Sequence, residues 1–129
     1  MVETSLKVVC IDDAQEMVDL VTLILGRQGI QVTGAIGGRQ GLKKIAEVKP
    51  DLVLIDLSMP EMDGWEVYQS MQASAGMKDI PVIIVTAKSE SIDKALGLRV
   101  AHVDDYVTKP FSPEQLVESV NRVMDTHKR

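Results

Sequence analysis

The chain has 129 residues, enough for one domain with a single core and too few for a second. With 45% hydrophobic and 26% charged residues it has the composition of a globular protein and not of a disordered one. Its net charge of −5 argues against an extended nucleic-acid footprint, and its one cysteine excludes an internal disulfide and a multi-cysteine metal site.

The first apolar run, Lys7–Ile11, reads as a strand, with Cys10 inside it as a buried, inert thiol. It is broken at once by Asp12-Asp13, so it has no secretory pattern. No stretch approaches the roughly 18 apolar residues of a membrane helix, and a cytoplasmic protein without membrane contact is expected. Met17, Leu20, Val21, Ile24 and Leu25 then form one helical stripe, with Gly29 placed to cap its C-terminus. A second run, Ile30–Ala35, is followed by the stripe Leu42, Ile45 and Ala46, which ends before Pro50. Leu52–Ile55 is the third run, and Val67 and Met71 follow Gly64. Val82–Val85 is the fourth, followed after Ser91 by Ile92, Ala95 and Leu96. Val103–Val107 is the fifth. The last stripe is Leu116, Val120, Val123 and Met124, with Ser112 as N-cap and Pro113 at the first helical position. His127-Lys128-Arg129 reads as a frayed, solvated tail.

Short Val- and Ile-rich runs alternating with amphipathic helices predict an α/β domain, with a parallel sheet covered on both faces. Right-handed crossovers put helices on both sides, and ligands bind outside the carboxyl ends of the strands. Those ends carry Asp12-Asp13, Asp56, Thr86 and Lys109. Singly, each is an ordinary solvated loop residue. Together, three carboxylates on one rim would raise one another's pKa values unless a cation joined them, and Mg²⁺ favours such oxygen ligands. A carboxylate beside that ion can attack phosphorus, while an ammonium and a hydroxyl hold the remaining phosphoryl oxygens.

Four motifs, in this order, carry a resemblance that covers nearly the whole chain. They are Asp12-Asp13; Pro50 through Pro60 with Asp63-Gly64; Pro81 through Ala87; and Asp104 through Phe111. The chain resembles the bacterial response-regulator receiver domain of two-component systems. The resemblance implies a flavodoxin-like doubly wound (βα)5 domain over residues 1–129, with sheet order 2-1-3-4-5. It implies Asp56 as phosphoacceptor, and Mg²⁺ held by Asp13, Asp56 and the Ser58 backbone carbonyl, with Asp12 acting through metal-bound water. Lys109 would contact the phosphoryl group beside a cis peptide to Pro110, and Thr86 and Tyr106 would form the switch. On residue chemistry alone, Tyr106 is a half-exposed strand aromatic.

The resemblance further implies a histidine kinase or phosphotransfer protein as donor. The downstream protein target would meet the face made by the fourth helix, fifth strand and fifth helix. Such a module is not an enzyme, although it catalyses its own phosphorylation and dephosphorylation. A monomer, or a dimer formed on phosphorylation, and no output domain on this chain are expected. Ser58 and Lys88 stand where the family sets phosphoryl lifetime, and His102-Val103 replaces the family's usual Gly-Ala.

Three other readings fit less well. A haloacid-dehalogenase-type phosphatase needs a second Asp where this chain has Ser58. A degenerate receiver would lack one of Asp12, Asp13, Asp56 or Lys109. A flavodoxin-like cofactor protein would need a phosphate-cradling glycine loop where Asp12-Asp13 stands.

Overall fold

The computed structural model describes residues 5–87 and 103–127. Their elements are β1 (Lys7–Ile11), α1 (Gln15–Gly26), β2 (Gln31–Ala35), α2 (Gly38–Val48), β3 (Leu52–Ile55), α3 (Gly64–Gln72), β4 (Val82–Ala87), β5 (Asp105–Lys109) and α4 (Pro113–His127). The stripe expected at Ile92, Ala95 and Leu96, with Lys88 and His102, lies outside the described residues. Here α4 is the fifth helix read from the sequence.

The five strands form one parallel sheet in the order β2-β1-β3-β4-β5. Strand side chains alternate between faces, so β1 sends Val8 and Cys10 to one side, and Val9 and Ile11 to the other. The first side packs against Val18, Val21, Ile24 and Leu25 of α1 and Leu116, Val120 and Val123 of α4. The second packs against Ile45 of α2 and Val67 and Met71 of α3. β1, β3 and β4 are covered on both faces, which is why their sequences lack polar alternation. Cys10 is buried, and burial pushes its thiol up to about 12, which keeps it protonated and inert.

The helix boundaries follow local chemistry. Gly29 closes α1 as expected: its N–H donates to Gly26 and that of Ile30 to Leu25, the paired bonds of a Schellman turn. Gly29 takes the left-handed conformation this turn requires, at φ 81°. Ser112 and Gln115 cap α4 reciprocally, each side chain accepting the other's backbone N–H.

Several details differ from the sequence reading. Leu20 is exposed and Val18 takes the buried place, because α1 also packs against β2, where the missing Cβ of Gly34 admits Val18. Ala46 is exposed as well, since α2 buries only a narrow stripe around Ile45. β5 begins two residues beyond the start of its apolar run, because pairing with β4 sets its limits: Ile83 lies opposite Asp105 and Ala87 opposite Lys109. Val103 precedes the strand and is buried in the core. His127 is no frayed tail residue; it ends α4 with Nε2 2.8 Å from an Asp104 carboxylate oxygen. Among the described residues, no helix is long and apolar enough to cross a membrane.

Candidate functional site

Two neighbouring strands bring the acidic residues together. β1 runs directly into Asp12 and Asp13, and β3 directly into Asp56. The Asp56 N–H donates to the Ile11 carbonyl at 3.0 Å, which extends the β1–β3 pairing into the site itself. One carboxylate oxygen from each of Asp12, Asp13 and Asp56 lies within 4.8 Å of the others. Asp12 and Asp56 are 2% and 5% exposed, whereas Asp13 is open to solvent.

Lys109, the last residue of β5, lies across the pair: its Nζ is 2.9 Å from Asp12 and 3.6 Å from Asp56. The peptide from Lys109 to Pro110 is cis. Asp12 also accepts the Ala14 N–H at 2.9 Å. Burial and the neighbouring Asp12 carboxylate push Asp56 up to about 6, against the pull of Lys109 and the Ser58 backbone N–H. Lys109 is raised despite its burial, because the Asp12 and Asp56 carboxylates hold its proton. One ammonium thus offsets only part of the negative charge. The remainder, with oxygen donors on three sides, suits a hard divalent cation such as Mg²⁺.

Thr86 stands one residue from the end of β4 and is 1% exposed. Its hydroxyl has no hydrogen-bond partner among the described residues, an uncommon state for a buried hydroxyl. Tyr106, opposite Ile84 on β5, is buried too, not half-exposed as its residue type alone suggests. Ser58 is exposed in the loop after Asp56. All the site residues expected from the sequence are therefore described, and Asp12, Asp13, Asp56, Thr86 and Lys109 share the carboxyl rim of the sheet. Of the face expected to signal outward, β5 and α4 are described.

Two features escaped the residue-by-residue reading. Asp63 and Glu66 form a capping box at the start of α3, immediately beyond the Asp56 loop. The Asp-x-x-Glu spacing before an apolar stripe carried that signal. On β5, Asp105 accepts from Ser119 and Arg122 of α4, each at 2.6 Å. Although burial works the other way, those two bonds hold the Asp105 carboxyl below the usual carboxylate range. The partners lie 14 and 17 residues away in the chain, beyond any local pattern.

Comparison with known proteins bears on the family and the fold. The family model described as "Response regulator receiver domain" matches residues 8–121. Among curated proteins, the chain is 38% identical over 118 residues to the alkaline phosphatase synthesis transcriptional regulatory protein PhoP of Bacillus subtilis, covering 92% of this chain and 48% of that one. It is also 38% identical over 115 residues to the DNA-binding response regulator MtrA of Mycolicibacterium smegmatis, covering 88% and 48%. The chain thus spans about half the length of the curated relatives it matches. Among solved structures, chemotaxis protein CheY4 of Vibrio cholerae superposes with a TM-score of 0.86 at 28% identity, over 93% of this chain and 99% of that one.

Proposed function

The chain belongs to the response-regulator receiver family of two-component signalling, and from that premise we propose that Asp56 is its phosphoacceptor. The observation that carries this reading is the packing of Asp12, Asp13 and Asp56 within 4.8 Å, with Lys109 bridging two of them. Residues 1–129 act as one receiver domain, a switch that is not an enzyme acting on other molecules.

An ionised Asp56 oxygen attacks the phosphorus of the donor. An O–P bond forms, the bond from phosphorus to the donor's leaving group breaks, and that group leaves with the bonding electrons. The donor is a phosphohistidine on a histidine kinase or phosphotransfer protein. Lys109 Nζ sits close enough to Asp56 to pair with the incoming phosphoryl oxygens. Thr86 offers the buried hydroxyl that lacks a partner among the described residues. Asp13, Asp56 and the Ser58 carbonyl would hold Mg²⁺, with Asp12 completing the acidic cluster beside it. When bound, the ion neutralises the carboxylates and the charge on the transferring group.

Occupying the Thr86 hydroxyl then biases Tyr106, which pairs with Ile84 of β4 and lines a groove with Ser119 and Arg122 of α4. Phosphorylation shifts a two-state equilibrium of that face, which a protein target reads. The test is intact mass after incubation with acetyl phosphate, with and without Mg²⁺. A Mg²⁺-dependent gain of one phosphoryl group, labile to hydroxylamine and absent from Asp56→Asn, is the expected result. No gain at excess Mg²⁺ overturns the reading in favour of a module that binds without phosphorylation.

A further inference from the structure

We infer that Gly64 is a positioning residue for the phosphoacceptor, an inference that rests on Asp56 being the acceptor. α3 does not merely follow the Asp56 loop; its first residue leans on the acceptor's own backbone. The Gly64 N–H donates to the Leu57 carbonyl at 3.0 Å. A Cβ added at Gly64 would lie 2.5 Å from the Asp56 carbonyl oxygen, 2.8 Å from Leu57 Cα and 3.0 Å from the Asp56 carbonyl carbon.

All three obstacles are backbone atoms, so no side-chain rotation relieves them. Gly64 does not take a left-handed conformation; its only left-handed neighbour of note in this stretch is Glu61, at φ 68°. The requirement for glycine is therefore one of close approach, not of backbone freedom. Gly38, at the start of α2, differs: an added Cβ there meets side-chain atoms of Met62 and Val67 and no backbone atom of the acceptor.

The other supports of the acceptor are accounted for. The Ile11 carbonyl takes its N–H, and the Ser58 N–H reaches its carboxylate. The peptide carbonyl of Asp56 is where α3 docks, and the Asp63–Glu66 capping box holds the first turn of α3 in register with it. Moving that contact from 2.5 Å to 3.4 Å, where ordinary van der Waals contact begins, displaces either α3 or the Asp56 peptide by about 0.9 Å. In-line attack is sensitive on this scale, since a displacement of about 1 Å costs about 100-fold in rate. The burial of Asp56 and its pairing with the lysine shared with Asp12 leave it little freedom to compensate.

The experiment compares the unaltered chain, Gly64→Ala, Gly76→Ala and Asp56→Asn. Phosphorylation by acetyl phosphate with Mg²⁺ is followed as intact mass against time, and amide ¹H–¹⁵N shifts are recorded without the ion. Gly64→Ala is expected to slow phosphorylation about 10- to 100-fold and to move the Asp56 and Leu57 amide signals. Gly76→Ala, whose added Cβ meets nothing within 4 Å, is expected to stay within about twofold of the unaltered rate. A rate within about twofold for folded Gly64→Ala, with those two amides unmoved, overturns the inference while leaving Asp56 as acceptor. Absence of any phosphoryl gain in the unaltered chain overturns the acceptor reading itself. Should Gly64→Ala fail to fold, Asp63→Ala/Glu66→Ala loosens the same docking without added bulk. A rate at least about threefold lower, at a temperature where it is fully folded, supports positioning, and an unchanged rate refutes it.

Discussion

Four aspartates near the two ends of one sheet are put to opposite uses. At the amino rim, Asp51 and Asp104 each clasp the first residue of a neighbouring strand. The Asp51 carboxylate accepts the Lys7 N–H while its own N–H donates to the Lys7 carbonyl. Asp104 does the same to Val82, and its other carboxylate oxygen meets His127. At the carboxyl rim, Asp12 and Asp56 face each other across one lysine, and the hydroxyl of nearby Thr86 has no partner among the described residues. The same side chain is thus a staple at one end and a held charge at the other. What separates them is spacing: both pairs accept backbone N–H groups, but only the second is pressed together, with one lysine between its two carboxylates.

The largest effect that sharpens this contrast is functional. Asp56→Asn is expected to abolish phosphoryl incorporation entirely and, without Mg²⁺, to raise stability by about 1–3 kcal/mol near pH 8 by removing a buried, ill-paired charge. Denaturant titration of the two forms checks the second half. A stability loss in Asp56→Asn would break the view that the carboxyl rim holds unrelieved charge.

The pH dependence has a definite sign. Because the folded Asp56 lies at about 6 and its ordinary value is 3.8, the unfolded chain gives up this proton first. The contribution of Asp56 is therefore greatest at acid pH, and is lost as pH rises from about 4 to about 6, by up to about 3 kcal/mol. Asp105 works the other way: its lowered carboxyl adds stability that is present above the ordinary value and is lost as pH falls below it. Urea midpoints across this range should show the Asp56 slope in the unaltered chain and not in Asp56→Asn.

At the opposite rim, Asp104→Ala should cost about 1–3 kcal/mol, because it strips the Val82 N–H of its acceptor. Its phosphorylation by acetyl phosphate should stay within about twofold, as the clasp lies at the far end of the strand. The smallest effect is at Thr86. Thr86→Val removes the buried hydroxyl at nearly constant volume and is expected to gain up to about 1 kcal/mol in thermal denaturation. A comparable loss would mean that the hydroxyl is satisfied in solution.

Much of this was legible in the chain. The buried strands announced themselves because a strand covered on both faces needs only apolar residues, a property of consecutive positions. The Asp12-Asp13, Asp56 and Lys109 positions were legible for a related reason: in a parallel sheet, whatever follows each strand lands on one rim. Helix faces were read less well. Leu20 fits the α1 stripe by spacing but is 41% exposed, because the burying surface includes β2, reached through Gly34.

The sequence by itself determined the strand–helix alternation, the family and the residues of the rim, since each follows from local pattern or motif. The tertiary structure alone decided which face of α1 is buried, how β5 registers on β4, that Asp104 holds Val82 and His127, and that Gly64 rests on the Asp56 carbonyl. Those contacts join residues whose spacing carries no signal. They exist only once the packed sheet and helices have fixed the distances between them.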